Sequence, residues 1–241
     1  MDTIKINKKQ TKMIAHRGVS KLECENTVPA FVAAGNRSYY GIETDVHVTK
    51  DGKLILHHDD TTYRLTGVGE IYMEQTDFDE LRSIPLISPI PGDEARKDLF
   101  MPTLEEYISI CKKYEKIAVL ELKNPMPTEA LQKICDTISG MEYLNGTIFI
   151  SFSYENLVEI RKMLPNQRMQ FLTSKYTDDL IDKLKAHNLE LDIAHSELNK
   201  KRIDALHEAG IKINCWTVDD SARAEELADM GVDYITSNIL E

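Results

Sequence analysis

Short apolar, β-branched runs alternate with longer stretches of helical periodicity along the whole chain. The short runs fall at residues 13–16, 41–48, 117–123, 147–152, 168–172, 189–194, 211–218 and 232–237. Each has the length of a strand and is bounded by polar or turn-forming residues. Amphipathic stretches lie between them at 27–36, 103–114, 128–139, 154–164, 177–187, 200–209 and 221–230. Thr103-Leu104-Glu105-Glu106 puts a hydroxyl at a helix start and an acid three residues later, the pattern of a capping box. Ser221 is the predicted N-cap of the last helix, and Gly210 and Gly231 stand where helices should stop.

Eight strands alternating with helices predict an α/β chain folded as a (β/α)₈ TIM barrel. A doubly wound open sheet shares the alternation but calls for a glycine-rich first turn, and here His16-Arg17-Gly18 is followed by Val19-Ser20. One connection breaks the rhythm: residues 49–102 span about 50 positions where a βα loop usually has 2–6. This segment carries a hairpin signal and an irregular stretch at 85–92. It predicts a small insertion after the second strand, over the C-terminal face of one domain covering residues 1–241.

Composition adds exclusions. The 241 residues are 42% hydrophobic and 29% charged, as in ordinary globular proteins. A net charge of −11 argues against coating a nucleic-acid duplex and against stable docking on anionic membranes. The first twelve residues are polar and lysine-rich, so no signal peptide is expected. No run approaches the ~18 apolar residues of a membrane span. Cys24, Cys111, Cys135 and Cys215 are scattered without paired spacing, which predicts reduced, mostly buried thiols and a cytoplasmic location. Homo-oligomerisation is left open.

The chemistry concentrates at predicted strand ends. Glu43 and Asp45 are two residues apart on a strand and therefore share a face, which is costly unless a cation lies between them. Glu121 and Lys123 repeat that spacing on the third strand, and His16 and Arg17 end the first. The Asp51-Gly52 pair is a hairpin signal. A two-residue turn there would set Asp45 directly opposite His58 and fold the histidine over the carboxylates, whereas a three-residue loop would flip the face. Glu43, Asp45 and Glu121 with a divalent cation, Arg17 and Lys123 total about one positive charge, which suits an anionic diester. All-oxygen ligation implies a hard ion, Mg²⁺ or Ca²⁺.

Together, His16-Arg17-Gly18, Glu25-Asn26-Thr27, Glu43-Thr44-Asp45-Val46, Thr49-Lys50-Asp51-Gly52, His58-Asp59 with Thr61, Glu121-Leu122-Lys123 and Trp216-Thr217-Val218 resemble the motif set of glycerophosphodiester phosphodiesterases. The likeness runs from about residue 13 to 238. It implies a metal-dependent hydrolase of small glycerophosphodiesters on a TIM barrel, yielding glycerol 3-phosphate and an alcohol. Carried over by position, Glu43, Asp45 and Glu121 would hold the metal and His16 and His58 would act as acid and base. Arg17 and Lys123 would hold the phosphate, and Trp216 matches an aromatic at the mouth. The attacking oxygen is left open between water and the substrate's own 2-hydroxyl, the latter giving a cyclic phosphate.

Other histidines fit blander roles. His57 alternates away from His58 and is expected to be packed or exposed rather than catalytic, while His47 shares the face of Asp45 but meets a metal site already supplied with ligands. His187, His195 and His207 lie away from the motifs. Lys200-Lys201-Arg202 reads as a solvated helix start. A phospholipase-D-like or phosphoinositide-cleaving lipase on the same barrel is the nearest alternative, but the 49–102 segment lacks a sustained basic or apolar face. A non-catalytic phosphate-binding module is the rival of another class, and the complete set of acid, base and metal positions argues against it.

Overall fold

A computed structural model describes residues 2–67, 69–92 and 96–241. Eight parallel strands, β1 (Lys12–Ala15), β2 (Gly41–Val48), β4 (Ile117–Leu122), β5 (Thr147–Ser151), β6 (Met169–Thr173), β7 (Glu190–Ala194), β8 (Ile213–Trp216) and β9 (Tyr234–Ser237), are arranged in chain order. Pairing of β1 with both β2 and β9 closes the sheet into a TIM barrel. A short β3 (Leu54–Leu56) runs antiparallel to β2. The helices that cover the barrel are α1 (Val28–Gly35), α4 (Leu104–Lys113), α5 (Thr128–Gly140), α6 (Tyr154–Met163), α7 (Leu180–Ala186), α8 (Lys200–Glu208) and α9 (Ser221–Met230). Their apolar faces and the outward faces of the strands form the main core, with Phe31, Tyr107, Leu131, Leu157 and Ile203 all fully buried. Burying side chains of that size contributes roughly 1.5–3 kcal/mol each.

The capping signals largely hold. Thr103 accepts from the Glu106 N–H while the Glu106 carboxylate accepts from the Thr103 N–H, completing the capping box of α4. For α9 the cap shifts by one residue: Asp220, not Ser221, accepts from the Arg223 N–H at 2.8 Å. Gly231 ends that helix in the left-handed region.

Between β2 and α4 the chain forms β3, α2 (Tyr63–Thr66), a 3₁₀ turn at Met73–Gln75 and α3 (Phe78–Ser83). This segment shares a small core of its own with Cys24, made of Ile55, Leu65, Met73, Leu81, Leu86, Leu99 and Met101.

The hairpin into β3 departs from the two-residue turn. Val46 pairs with Leu56 and Val48 with Leu54, so the loop is Lys50-Asp51-Gly52, with Gly52 left-handed at φ 72°. Thr49 fixes it: its hydroxyl donates to Asp51 at 2.6 Å and accepts from the Lys53 N–H at 3.0 Å. His57, not His58, therefore follows in register, its N–H donating to the Asp45 carbonyl at 3.1 Å.

All four cysteines are buried and none is part of a disulfide. Among the described residues, no helix is long and apolar enough to cross a membrane.

Candidate active site

Three carboxylates converge where β2 and β4 end. Strand alternation puts Glu43 and Asp45 on the barrel interior, and the parallel register sets Asp45 beside Glu121. One oxygen from each of Glu43, Asp45 and Glu121 lies within 4.8 Å of the others, and all three residues are buried. Two charged carboxylates at that separation repel by roughly 3 kcal/mol at an effective dielectric of about 20. Burial and the Asp45 charge push Glu43 well above the usual carboxylate range. The same two causes raise Glu121 to about 7. Burial also opposes the charged form of Asp45, but Arg17, Lys123 and His58 outweigh it and hold that carboxyl down at about 2.

Two cations answer only part of this charge. Lys123, just past β4, sits 2.9 Å from Glu121 and 3.6 Å from Asp45. Arg17 lies 3.6 Å from Asp45 and donates to Glu25 at 2.9 Å. Its backbone is left-handed at φ 53°, a conformation uncommon for a non-glycine residue, and this turn sends the Arg17 N–H to the Glu43 carboxylate at 2.8 Å. Gly18 continues the turn at φ 79°, where an added Cβ would stand 2.7 Å from Ala30. Asn26 donates to Asp45 at 2.8 Å and accepts from the Thr44 hydroxyl. Even so, Asp45 Oδ1 and Arg17 Nε have no hydrogen-bond partner. A buried anionic cluster with an orphan ligand oxygen, all oxygen donors, fits a hard divalent cation.

Each histidine of the site is held by its Nδ1. His16 meets Asn238 Oδ1 at 2.7 Å. Asp219 accepts from both the side-chain and the backbone N–H of Asn238, which fixes the amide with its oxygen toward the ring. That network assigns the proton of His16 to Nδ1. Burial, helped by the Arg17 charge, lowers the ring to about 4, so it is neutral at pH 7. His58 meets Asp59 at 2.7 Å, and Arg64 of α2 clamps Asp59 and Glu25 together. Burial lowers His58 as well, against the upward pull of Asp45.

These groups surround a cavity of about 110 Å³ lined by His16, Arg17, Glu43, His58, Glu121 and Trp216, among others. Asp45 and Lys123 join it through the ion pairs above. All eight residues singled out from the sequence are thus brought together. His58 arrives by a different route from the one expected, carried by the bend after β3 rather than by a cross-strand pair. Trp216 faces half-exposed Phe152 edge to face at 5.8 Å. His47 is buried 3.3 Å from Glu74, and His57 packs with Nε2 3.2 Å from the Thr61 carbonyl.

Four groups escaped the sequence reasoning: Asn238 and Asp219 behind His16, Arg64 behind Asp59, and Asp192 on the cavity wall. Asn238 and Asp219 follow β9 and β8 and could have been found by the strand-end rule that found the others. Arg64 gave no such signal, because its place depends on how the long segment folds back.

The glycerophosphoryl diester phosphodiesterase family model matches residues 16–240. A glycerophosphodiester phosphodiesterase of Caldanaerobacter subterraneus subsp. tengcongensis is 28% identical over 235 residues, spanning 95% of this chain and 94% of that protein. A phosphodiesterase of Oleispira antarctica, solved in complex with the product sn-glycerol-3-phosphate, has a TM-score of 0.81 at 27% identity, over 95% of this chain and 93% of that one. A glycerophosphodiester phosphodiesterase structure from Parabacteroides distasonis gives 0.80 at 28% identity, over 95% and 93%.

Proposed function

The chain belongs to the glycerophosphoryl diester phosphodiesterase family, and from that premise we propose a metal-dependent, two-histidine hydrolysis of glycerophosphodiesters to glycerol 3-phosphate and an alcohol. The observation that carries this is the buried trio Glu43, Asp45 and Glu121, with an Asp45 oxygen that accepts no hydrogen bond, flanked by two histidines whose Nδ1 atoms are already engaged. The product bound to the Oleispira relative supports the substrate class.

Glu43, Asp45 and Glu121 would hold Mg²⁺ or Ca²⁺, which supplies positive charge to the phosphate oxygens as the diester is cleaved. Arg17 and Lys123 spend their charge on the carboxylates in the structure, and with a dication held there both would be free to bind phosphate. His16, neutral with its proton on Nδ1, presents Nε2 as a base toward the attacking oxygen. His58, its Nδ1 held by Asp59, would give the proton to the leaving alkoxide. Trp216 lines the mouth.

Residues 49–102 read as an insertion within one catalytic domain that brings His58, Asp59 and Arg64 to the site. A cytoplasmic location is inferred from four buried cysteines that form no disulfide.

The test is turnover of a panel of glycerophosphodiesters, including glycerophosphocholine and glycerophosphoethanolamine. EDTA should abolish hydrolysis and added Mg²⁺ or Ca²⁺ should restore it. Full activity after stripping would remove the metal from the mechanism.

A further inference from the structure

We propose that Asp192 recognises a hydroxyl of the glycerol half of the diester and so sets the enzyme's preference for a polyol, an inference that rests on the function proposed above. Asp192 lies in β7, four strands from β2 in either direction around the closed barrel. It therefore faces the carboxylate trio from the opposite wall and lines the same cavity. The residue is 2% exposed, and its Oδ1 has no partner.

TIM-barrel interiors are usually filled by branched apolar side chains. Here β6, β8 and β9 carry Gln170, Asn214 and Thr236 beside Asp192, all buried. Thr236 donates to the Asn214 oxygen at 3.2 Å, and the Asn214 amide donates to Gln170 at 3.3 Å. Gln170 then donates to Glu190 at 2.9 Å. This chain of side chains satisfies itself from the cavity floor to the N-terminal end of the barrel. Asp192, two residues after Glu190 on the same strand, is left with an oxygen that nothing answers.

Its chemistry selects the ligand. Burial, with the Glu121 charge adding to it, raises the Asp192 carboxyl well above its usual range, while the nearby Asn214 amide draws it slightly back. A carboxyl held neutral or charged can pair with a hydroxyl in either state, because a hydroxyl both donates and accepts. A charged carboxylate would instead repel a phosphate, and the cations that suit phosphate stand on the far wall. Leu172, Ile150 and Trp216 line the same cavity and offer apolar surface to the carbons of a polyol.

Competitive inhibition by sn-glycerol 3-phosphate and by propyl phosphate, which share the phosphate and differ in the hydroxyls, reads this directly. The wild type should bind the glycerol compound roughly 10-fold or more tightly. Asp192→Ala should bring the two inhibition constants together by weakening glycerol 3-phosphate alone, and Asp192→Asn should keep most of the preference. Should the alanine variant fail to fold, Asp192→Ser carries the same expectation with a polar atom kept beside Asn214. An unchanged ratio, or equal weakening of both compounds, would overturn the proposal. Wild-type turnover of glycerophosphocholine in the same preparation checks the underlying function separately.

Discussion

At the N-terminal end of the barrel, Glu190 meets Arg168 at 3.2 Å, and the guanidinium also donates to the hydroxyls of Tyr40 and Tyr234. Gln170 supplies a further donor to the same carboxylate. No buried polar atom of these five residues lacks a partner. At the C-terminal end, three carboxylates crowd within 4.8 Å against two cations, and orphan atoms remain on Asp45 and Arg17. Both ends gather charge, half-buried at the first and buried at the second, but only the first balances it. A closed ion pair of the first kind has done its work once the protein is folded. An unbalanced cluster of the second kind is where the proposed metal would sit.

The contrast breaks most sharply by exchanging its two ends. Asp45→Asn should lower turnover by at least ~10³-fold, since several kcal/mol of transition-state stabilisation pass through that site. Thermal stability should change little or rise as the like charge is relieved. Arg168→Leu should do the reverse, costing about 2 kcal/mol by leaving Glu190 without its cation, with turnover per folded molecule unchanged. Steady-state kinetics and thermal melts on both variants decide this. Loss of activity in Arg168→Leu, or normal activity in Asp45→Asn, would dissolve the distinction.

A finer test concerns the support behind the histidine. Asn238 contacts the cavity only through His16, so Asn238→Ala should lower kcat by ~10–10²-fold through misorientation of the ring. The slowing should come with an altered pH–rate profile, because the Nδ1 proton is no longer assigned. An unaltered profile and rate would make Asn238 merely structural.

The smallest expected effect separates a packed histidine from a reactive one. Burial lowers the His57 ring to about 4, below the ~6.5 of an unfolded chain. The unfolded state thus binds more protons at pH 5, and the contribution present above pH 6.5 is lost as pH falls toward 4. Relative to His57→Asn, the wild type should lose about 2 kcal/mol of stability between pH 8 and pH 5. Denaturant melts at the two pH values measure it, and a pH-independent difference would contradict the burial account.

Much of this was legible in the sequence because it depends on short periods. Strand alternation put Glu43 with Asp45 and Glu121 with Lys123, and the barrel rule gathered strand ends from distant parts of the chain. The hairpin register was not legible, because it turned on the Thr49 hydroxyl stabilising a three-residue loop rather than on the Asp51-Gly52 pair alone. His58 nonetheless reached the site, since Asp59 and Arg64 hold it there irrespective of strand pairing. The interior polar column was hidden for another reason: Gln170, Asp192 and Asn214 sit within runs that read as apolar, and only closure of the barrel brings them face to face.

Under the proposed function, Glu43, Asp45 and Glu121 are unbalanced because they await a divalent cation. Calorimetric titration of the metal-stripped protein with Mg²⁺ or Ca²⁺ tests it most directly. One ion per chain should bind, with protons released because burial and the Asp45 charge raise both Glu43 and Glu121, and Glu43→Gln with Glu121→Gln should abolish the binding. No saturable binding by the wild type, or equal affinity in the double variant, would contradict it.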